Sequence, residues 1–407
     1  MGMQTKIRAD KRLNIAMVGH KRIPSREGGI EIVVEELSTR MAKLGHHVTC
    51  YNRAGHHVSG KEFDREITTE HKGVQLKEVF TIQRRGLAAV SSSFFGCLAA
   101  AFGPYDVVHI HAEGPAAFCW LPRLLGKRVV LTIHGLDWQR EKWKNGFGAK
   151  YIHFGEKMGV KWANEIIVLS RCVEEYFKTT YNRDVRFIPN GVKQAQIREA
   201  KQITEKFGLT KDSYILYLGR IVPEKGGHYL CEAFKNINTD KKLVIVGGAS
   251  DTDEYMKQLR ELAKDDERII FTGFMQGDIL RELYSNAYVY VLPSDLEGMP
   301  LSLLEAMSYG NCCLTSDIPE CAEVTRHHGV TFQKSNVADL KEKLQDLCDN
   351  PAKVQYFKSK AAKYIHFKYN WDFTVAETLA VYRGELSEKQ KNDKVVGMKS
   401  YESASNQ

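Results

Sequence analysis

The sequence predicts an α/β protein made of two Rossmann-like, doubly wound domains, and three observations lead there. Short apolar runs, which read as strands buried on both faces, alternate with segments of helical periodicity along most of the chain. Several of those runs end in glycine turns that lead straight into a helix, the opening move of a nucleotide-binding βα unit. The pattern halts at Phe187-Ile188-Pro189-Asn190-Gly191-Val192 and begins again at Tyr214. With 407 residues, 43% hydrophobic and 27% charged, the chain has the length for two ordinary domains and a globular composition.

Leu13-Asn14-Ile15-Ala16-Met17-Val18-Gly19 is the first predicted strand. It leads through Pro24 and Gly28-Gly29 into a helix whose apolar face is Ile30, Val33, Leu37, Met41 and Leu44. The glycine pair lets backbone amides approach a ligand with no Cβ between, although a plain strand-to-helix turn would use it too. No G-x-G-x-x-G follows the strand, so a dinucleotide-dependent dehydrogenase is disfavoured. Further strands are predicted at 47–51, 74–80, 106–111, 129–134 and 165–169, a run of βα units that implies a parallel sheet. His109 and His111 alternate on one strand, but no carboxylate or Cys at ligand spacing accompanies them, so they read as sheet-end histidines rather than metal ligands. His134 closes the run Leu131-Thr132-Ile133 and precedes Gly135. Its imidazole therefore emerges at the carboxyl edge of the sheet, where ligands collect in such folds. A structural strand-end histidine is the alternative.

The second half opens on Tyr214-Ile215-Leu216-Tyr217-Leu218-Gly219-Arg220, a strand, followed by the loop Ile221-Val222-Pro223-Glu224-Lys225-Gly226-Gly227. Arg220 and Lys225 flank a glycine-rich turn where two cations can hold a diphosphate. Strands at 243–248 and 269–273 follow. Then the apolar run Ala287-Tyr288-Val289-Tyr290-Val291-Leu292-Pro293 leads into Glu297-Gly298-Met299-Pro300-Leu301-Ser302-Leu303-Leu304-Glu305. Leu301, Leu304 and Met307 recur at helical spacing, with Pro300 suited to the first turn and Gly310 to the stop. Glu297 then sits in the loop off a strand, and Glu305 lies about one turn into the helix. The amides at that helix start form an anion site, and two carboxylates beside it suit a ligand carrying hydroxyls as well as phosphates. The bland alternative is a pair of solvated helix-start acids. Asp251-Thr252-Asp253 spells a metal-binding D-x-D, but a helical run follows it, so N-capping is the favoured role. Strand 312–316 is expected to close the sheet. Helices follow at 339–347 and 354–367, and a last one begins at Trp371-Asp372.

Four of these motifs, in order, resemble glycosyltransferase family 4, retaining enzymes of the GT-B fold in which two Rossmann-like domains face a central cleft. The likeness spans roughly residues 13–385. It implies transfer of a sugar from a nucleoside diphosphate sugar to a hydroxyl. Arg220 and Lys225, matching the family's G-R-x-x-x-x-K-G, would stabilise the leaving diphosphate. Glu297 would contact the transferred sugar and Glu305 the ribose, while the backbone at Gly273-Phe274 would receive the base. Gly28, Gly29, Gly298, Met299, Pro300 and Leu301 would complete the donor site, and His134 would face the sugar. No metal or other cofactor is implied. The stretch Leu136-Asp137-Trp138-Gln139-Arg140-Glu141-Lys142-Trp143, with Gly28-Gly29-Ile30-Glu31, resembles a rhamnosyltransferase-like subgroup of surface-polysaccharide assembly. That likeness implies a lipid-linked saccharide acceptor, with Asp137 and Trp138 as acceptor-side residues. Nucleotide-sugar epimerases, phosphorylases and a non-catalytic sugar-nucleotide binder are the alternatives. The implied domains are an acceptor domain at 1–190 and a donor domain at 191–370, with a helix at 371–385 crossing back to the first domain and a disordered tail at 386–407.

The charge is uneven. Residues 1–190 hold 29 Lys and Arg against 19 Asp and Glu, the remainder 29 against 31. A basic first half suits an anionic surface, and no nucleic-acid motif accompanies it. No apolar run reaches the length of a membrane span; the nearest, 87–103, reads as a buried helix. The N-terminus has no signal-like apolar region. Nine scattered Cys without a C-x-x-C pair read as reduced core thiols. A cytoplasmic protein lying peripherally on the inner face of the membrane is therefore expected, with Trp138, Arg140, Lys142, Trp143 and Lys144 as its contact patch.

Overall fold

A computed structural model of the chain describes residues 8, 11–26, 28–56, 68–84, 86–139, 146–248 and 253–385. Two sheets organise it. The first holds β1 (Asn14–Val18), β2 (His47–Arg53), β3 (Glu70–His71), β4 (Val74–Val79), β5 (Val107–His111), β6 (Arg128–Ile133), β7 (Glu165–Val168) and β8 (Arg186–Phe187). Their order is β3-β4-β2-β1-β5-β6-β7-β8, parallel throughout except for the short edge strand β3. The second holds β9 (Tyr214–Leu218), β10 (Lys242–Val246), β11 (Ile269–Gly273), β12 (Val289–Leu292), β13 (Cys312–Ser316) and β14 (Val330–Phe332), in the order β11-β10-β9-β12-β13-β14. These are the two doubly wound sheets that the alternating pattern predicts. The apolar pattern ends the second sheet at β13; β14, only three residues long, pairs outside it from Leu314↔Val330 to Ser316↔Phe332. Its single buried residue, Phe332, is too little for a periodicity signal.

Each sheet has a core on both faces, which is why its central strands, such as β1, β6, β9 and β12, are buried at nearly every position, while β4 nearer the edge alternates. One face of the first sheet is covered by Val33, Val34, Leu37 and Met41 of helix Gly29–Lys43, packed with Ile15, Val48 and Val107. Leu44, expected on that face, caps the helix and is exposed. The other face packs Ala16, Val18, Ile110 and Leu131 against Cys97 and Ala100 of helix Leu87–Phe102. That helix is buried on one side only, so the expectation of a buried helix holds for its sheet-facing side and is corrected for the other. Its inner face is small-residued because the strand beneath is close: a Cβ on Gly96 would lie 2.9 Å from Val18 Cγ1.

The last described helix, Trp371–Arg383, lies on the first domain although it follows the second in the chain. Asn370 caps it through Asp372 N. Trp371, Val375, Leu379 and Tyr382 join the core around β1 and β5. Gly191, where the chain passes between domains, is closed over by Trp371; a Cβ there would meet its backbone nitrogen at 2.3 Å. The expected tail at 386–407 lies outside the described residues. Trp371→Ala should remove the largest anchor of this helix and cost about 3–5 kcal/mol. It should show as a lower urea midpoint with the second domain's transition unmoved; an unchanged midpoint would mean that the helix contributes little to the first domain.

Candidate active site

In each sheet the strand order reverses direction once, between β1 and β5 in the first and between β9 and β12 in the second. Open α/β sheets gather ligands outside the carboxyl ends of strands at that switch point. Here the two switch points face one another across a cleft of about 400 Å³. From the first domain it is lined by Gly19, Arg26, Gly28, Gly29, Arg53 and His134. From the second come Arg220, Lys225, Phe274, Glu297, Glu305 and the chain from Gly298 to Ser302. The motif residues from both halves of the sequence are thereby brought to one place. Gly273, at φ +75°, turns the chain so that Phe274 rather than itself lines the cleft.

The loop after β12 is built around Glu297. Its Oε1 accepts from Ser294 Oγ at 2.7 Å and is ion-paired with Lys225 Nζ. Lys225 ends a short 3₁₀ turn, Pro223–Lys225, closed by Gly226 at φ +66°. A Cβ on Gly226 would fall 2.0 Å from the carbonyl oxygen of Pro293, so the Lys225 turn and the Glu297 loop lie backbone to backbone. Helix Leu301–Ser308 then begins, with Pro300 as its cap residue rather than inside the first turn as expected. Glu305 is ion-paired through Oε1 with Arg26 of the other domain, and its Oε2 accepts from Tyr284 Oη at 3.2 Å. Burial first, and the Glu305 charge next, push the Tyr284 hydroxyl well above its ordinary pKa, so it stays a donor. Arg26 stands two residues before the glycine pair, a cation beside a candidate phosphate turn that the motif spacing does not mark. Tyr284 gives no sequence signal, since it reaches Glu305 from a separate helix, Asp278–Ser285.

Behind the first-domain wall lies a row of histidines. His111 Nδ1 is hydrogen-bonded with His134 Nε2 at 3.0 Å. His109 bonds Tyr382 Oη at 2.6 Å and Thr132 Oγ1 at 2.7 Å. Both strand histidines are fully buried; His111 is the last residue of β5, as a sheet-end reading expects, whereas His109 sits at the middle of the strand, so for His109 that reading is corrected. Asp137 and Trp138 are not among the cleft-lining residues. Asp137 N donates to Glu113 Oε2 at 2.8 Å, and Trp138 lies against His153 with ring centroids 4.7 Å apart. Residues 140–145 and 251–252 lie outside the described residues, and with them the rest of the basic patch and most of the D-x-D. Among the described residues no three His, Cys, Asp or Glu side chains are grouped as metal ligands, and the nine Cys are unpaired, most of them buried. No described helix is long and apolar enough to cross a membrane.

Facing switch points, a cationic turn, and a helix start flanked by two carboxylates suit a ligand that carries both phosphates and hydroxyls, and the comparisons place the chain in a family of glycosyltransferases. Residues 27–196 match the model of glycosyltransferase family 4, and residues 199–364 that of glycosyl transferases group 1. The chain belongs to the family 4 type of glycosyltransferases and has the GT-B fold. It is 24% identical over 399 residues to an uncharacterised glycosyltransferase of Methanocaldococcus jannaschii, covering 91% of this chain and 98% of that one. It is 32% identical over 236 residues to the UDP-Gal:alpha-D-GlcNAc-diphosphoundecaprenol alpha-1,3-galactosyltransferase of Escherichia coli, covering 53% of this chain and 58% of that one. Sucrose-phosphate synthase from Thermosynechococcus elongatus superposes with a TM-score of 0.77 at 22% identity, over 92% of this chain and 99% of its own.

Burial lowers the pKa of His20 to about 4 and of His109 to about 3, and places His111 well below 6.5. These imidazoles are neutral in the fold but take up protons in the unfolded chain below about 6.5, so stability is lost as pH falls through that value. Glu113, whose carboxyl burial raises far above the usual range, acts in the opposite sense between its ordinary 4.5 and 6.5. Three imidazoles outweigh one carboxyl. The urea midpoint should therefore fall from pH 6.5 to 4.5, at about 1.4 kcal/mol per pH unit for each uncompensated proton. A flat profile would show that these histidines are not held neutral.

Proposed function

We propose that the protein transfers a glycosyl unit from a nucleoside diphosphate sugar to a hydroxyl of a lipid-linked saccharide in surface-polysaccharide assembly, with anomeric configuration retained. The observation that carries this reading is the convergence of Arg220, Lys225 and Glu297 with the backbone of Gly298, Met299, Leu301 and Ser302 on one cleft wall. In the reaction the bond between the anomeric carbon and the diphosphate breaks, and its electron pair leaves with the phosphate. The acceptor oxygen bonds the same carbon and gives up its proton to the departing phosphate. Charge therefore grows on the diphosphate, and Arg220, Lys225 and the helix-start amides stabilise it where it appears. Glu305 takes the ribose hydroxyls, the chain at Gly273 and Phe274 receives the base, and Gly28 and Gly29 approach the phosphates from the other domain. Glu297 orients the sugar and has no covalent role, and His134 donates to a sugar hydroxyl. The E. coli relative's substrates, a UDP-sugar and a diphosphoundecaprenol-linked saccharide, support a lipid-linked acceptor and a peripheral place at the membrane. The rhamnosyltransferase-like subgroup is a further proposal, resting on the Leu136-Asp137-Trp138 stretch.

Lys225→Ala should lower turnover by about 10²–10³-fold, as for loss of one preorganised charge donor, with the fold intact. Near-normal turnover would remove Lys225 from the mechanism. A thermal-shift panel of UDP, dTDP and GDP sugars should single out the donor by its stabilisation. Since two cations and the helix start neutralise the leaving group, turnover should persist in excess EDTA. Loss of turnover in chelator, restored by Mg²⁺ or Mn²⁺, would overturn metal independence.

A further inference from the structure

Helix Leu87–Phe102 carries no charged residue over its 16 positions. The face turned from the sheet holds Leu87, Phe95 and Phe102, spaced eight and seven residues apart and so on one side. Phe102 is 76% exposed. Phe80, 63% exposed, sets its ring edge-on to Phe95 at 5.2 Å. Ile82, also exposed, is held beside the helix by its N–H to Ser91 Oγ at 3.0 Å. At the far end, Leu124, the last residue of the short helix Trp120–Leu124, is 62% exposed, and the turn after it is tied to the end of helix Leu87–Phe102 by Lys127 Nζ donating to Gly103 O at 2.6 Å. Six large apolar side chains thus share one side of the first domain, more than scattered surface residues explain.

We propose that this face seats the protein on an anionic lipid bilayer. Two features favour a bilayer over a second protein surface. The ends of the apolar strip are cationic, with Arg84 at one and Arg123 and Lys127 at the other, the arrangement of apolar side chains and flanking charge that interfacial helices use on anionic lipid. The helix that carries the strip is also tied to the cleft from its buried side: Arg53, which lines the cleft, donates from Nε to Ser92 Oγ at 3.2 Å. An acceptor carried on a lipid would be met at the cleft, and here the inference rests on the proposed lipid-linked substrate. The seating surface is distinct from the Trp138–Lys144 patch expected from sequence.

Co-sedimentation with phosphatidylcholine vesicles, with and without phosphatidylglycerol and at low and high salt, tests it. The protein should bind the anionic vesicles, more weakly as salt rises. Phe95→Ser with Phe102→Ser should weaken binding about tenfold or more, and Arg84→Glu should weaken it chiefly at low salt. Phe367→Ser, an exposed aromatic of the second domain, should bind as wild type. Indifference of the wild type to anionic vesicles, or unaltered binding by the double variant, would overturn the proposal. So would a wild-type dimer in sedimentation velocity that the double variant dissolves, since a second copy would then cover the face. Vesicle binding that depends on Phe95 and Phe102, in a protein that transfers no sugar, would keep this surface and remove the proposed reaction.

Discussion

The cleft depends on one close approach. Gly298, in the loop after β12, lies so near the chain at His134 and Gly135 that a Cβ on it would sit 1.6 Å from the carbonyl oxygen of His134. Gly135 faces it at φ +140°, and a Cβ there would lie 3.0 Å from the Cα of Gly298. Two domains built on separate sheets therefore touch backbone to backbone, with no side chain between them. Any larger residue at Gly298 would hold the domains apart and carry Glu297 away from His134. The two glycines are thus a spacing constraint, and the relation of Glu297 to His134 across the cleft follows from them.

Electrostatics follow the same division. Each carboxylate of the second-domain wall is matched by a cation: Glu297 by Lys225 of its own domain, Glu305 by Arg26 of the other. With the acids already neutralised, Arg220 and the amides at the start of helix Leu301–Ser308 leave the wall electropositive, which suits a diphosphate. Arg26 also makes Glu305 part of the domain contact. A ligand hydroxyl reaching Glu305 has to share a carboxylate that Tyr284 and Arg26 already hold, and one carboxylate has about four lone-pair sites to share.

Much of this architecture is legible in the order of residues. Strands buried on both faces announce themselves as unbroken apolar runs, and turns such as Gly219-Arg220 or Glu297-Gly298 stand out because glycine marks close approach. The motif spacing around Arg220, Lys225, Glu297 and Glu305 reflects local geometry, a strand end and a helix start, and local geometry is what sequence encodes most directly. Pairing at long range is what stays hidden. Arg26 and Glu305 are 279 residues apart, and His109 meets Tyr382 across 273. The outward face of helix Leu87–Phe102 is hidden for another reason: an uncharged apolar segment looks the same whether its second side meets protein or something else. Asp137 and Trp138 are linked to an acceptor by local spelling alone; in the fold they lie outside the cleft, beside Glu113 and His153.

The buried histidines connect fold and site. His111 is fully buried and held neutral, and in its bond to His134 the Nδ1 of His111 and the Nε2 of His134 share one proton, the donor being set by the tautomers. That bond occupies Nε2 of His134 whichever ring carries the proton, and contact with a ligand has to be made from the Nδ1 edge. The ring is then oriented by a strand residue whose own position is set by β1 and β6 on either side. His109, one pleat earlier on the same face of β5, ties that strand to Tyr382 in the helix that returns from the second domain. A continuous row of side-chain contacts, Tyr382 to His109 to His111 to His134, thus joins the crossing helix to the cleft wall.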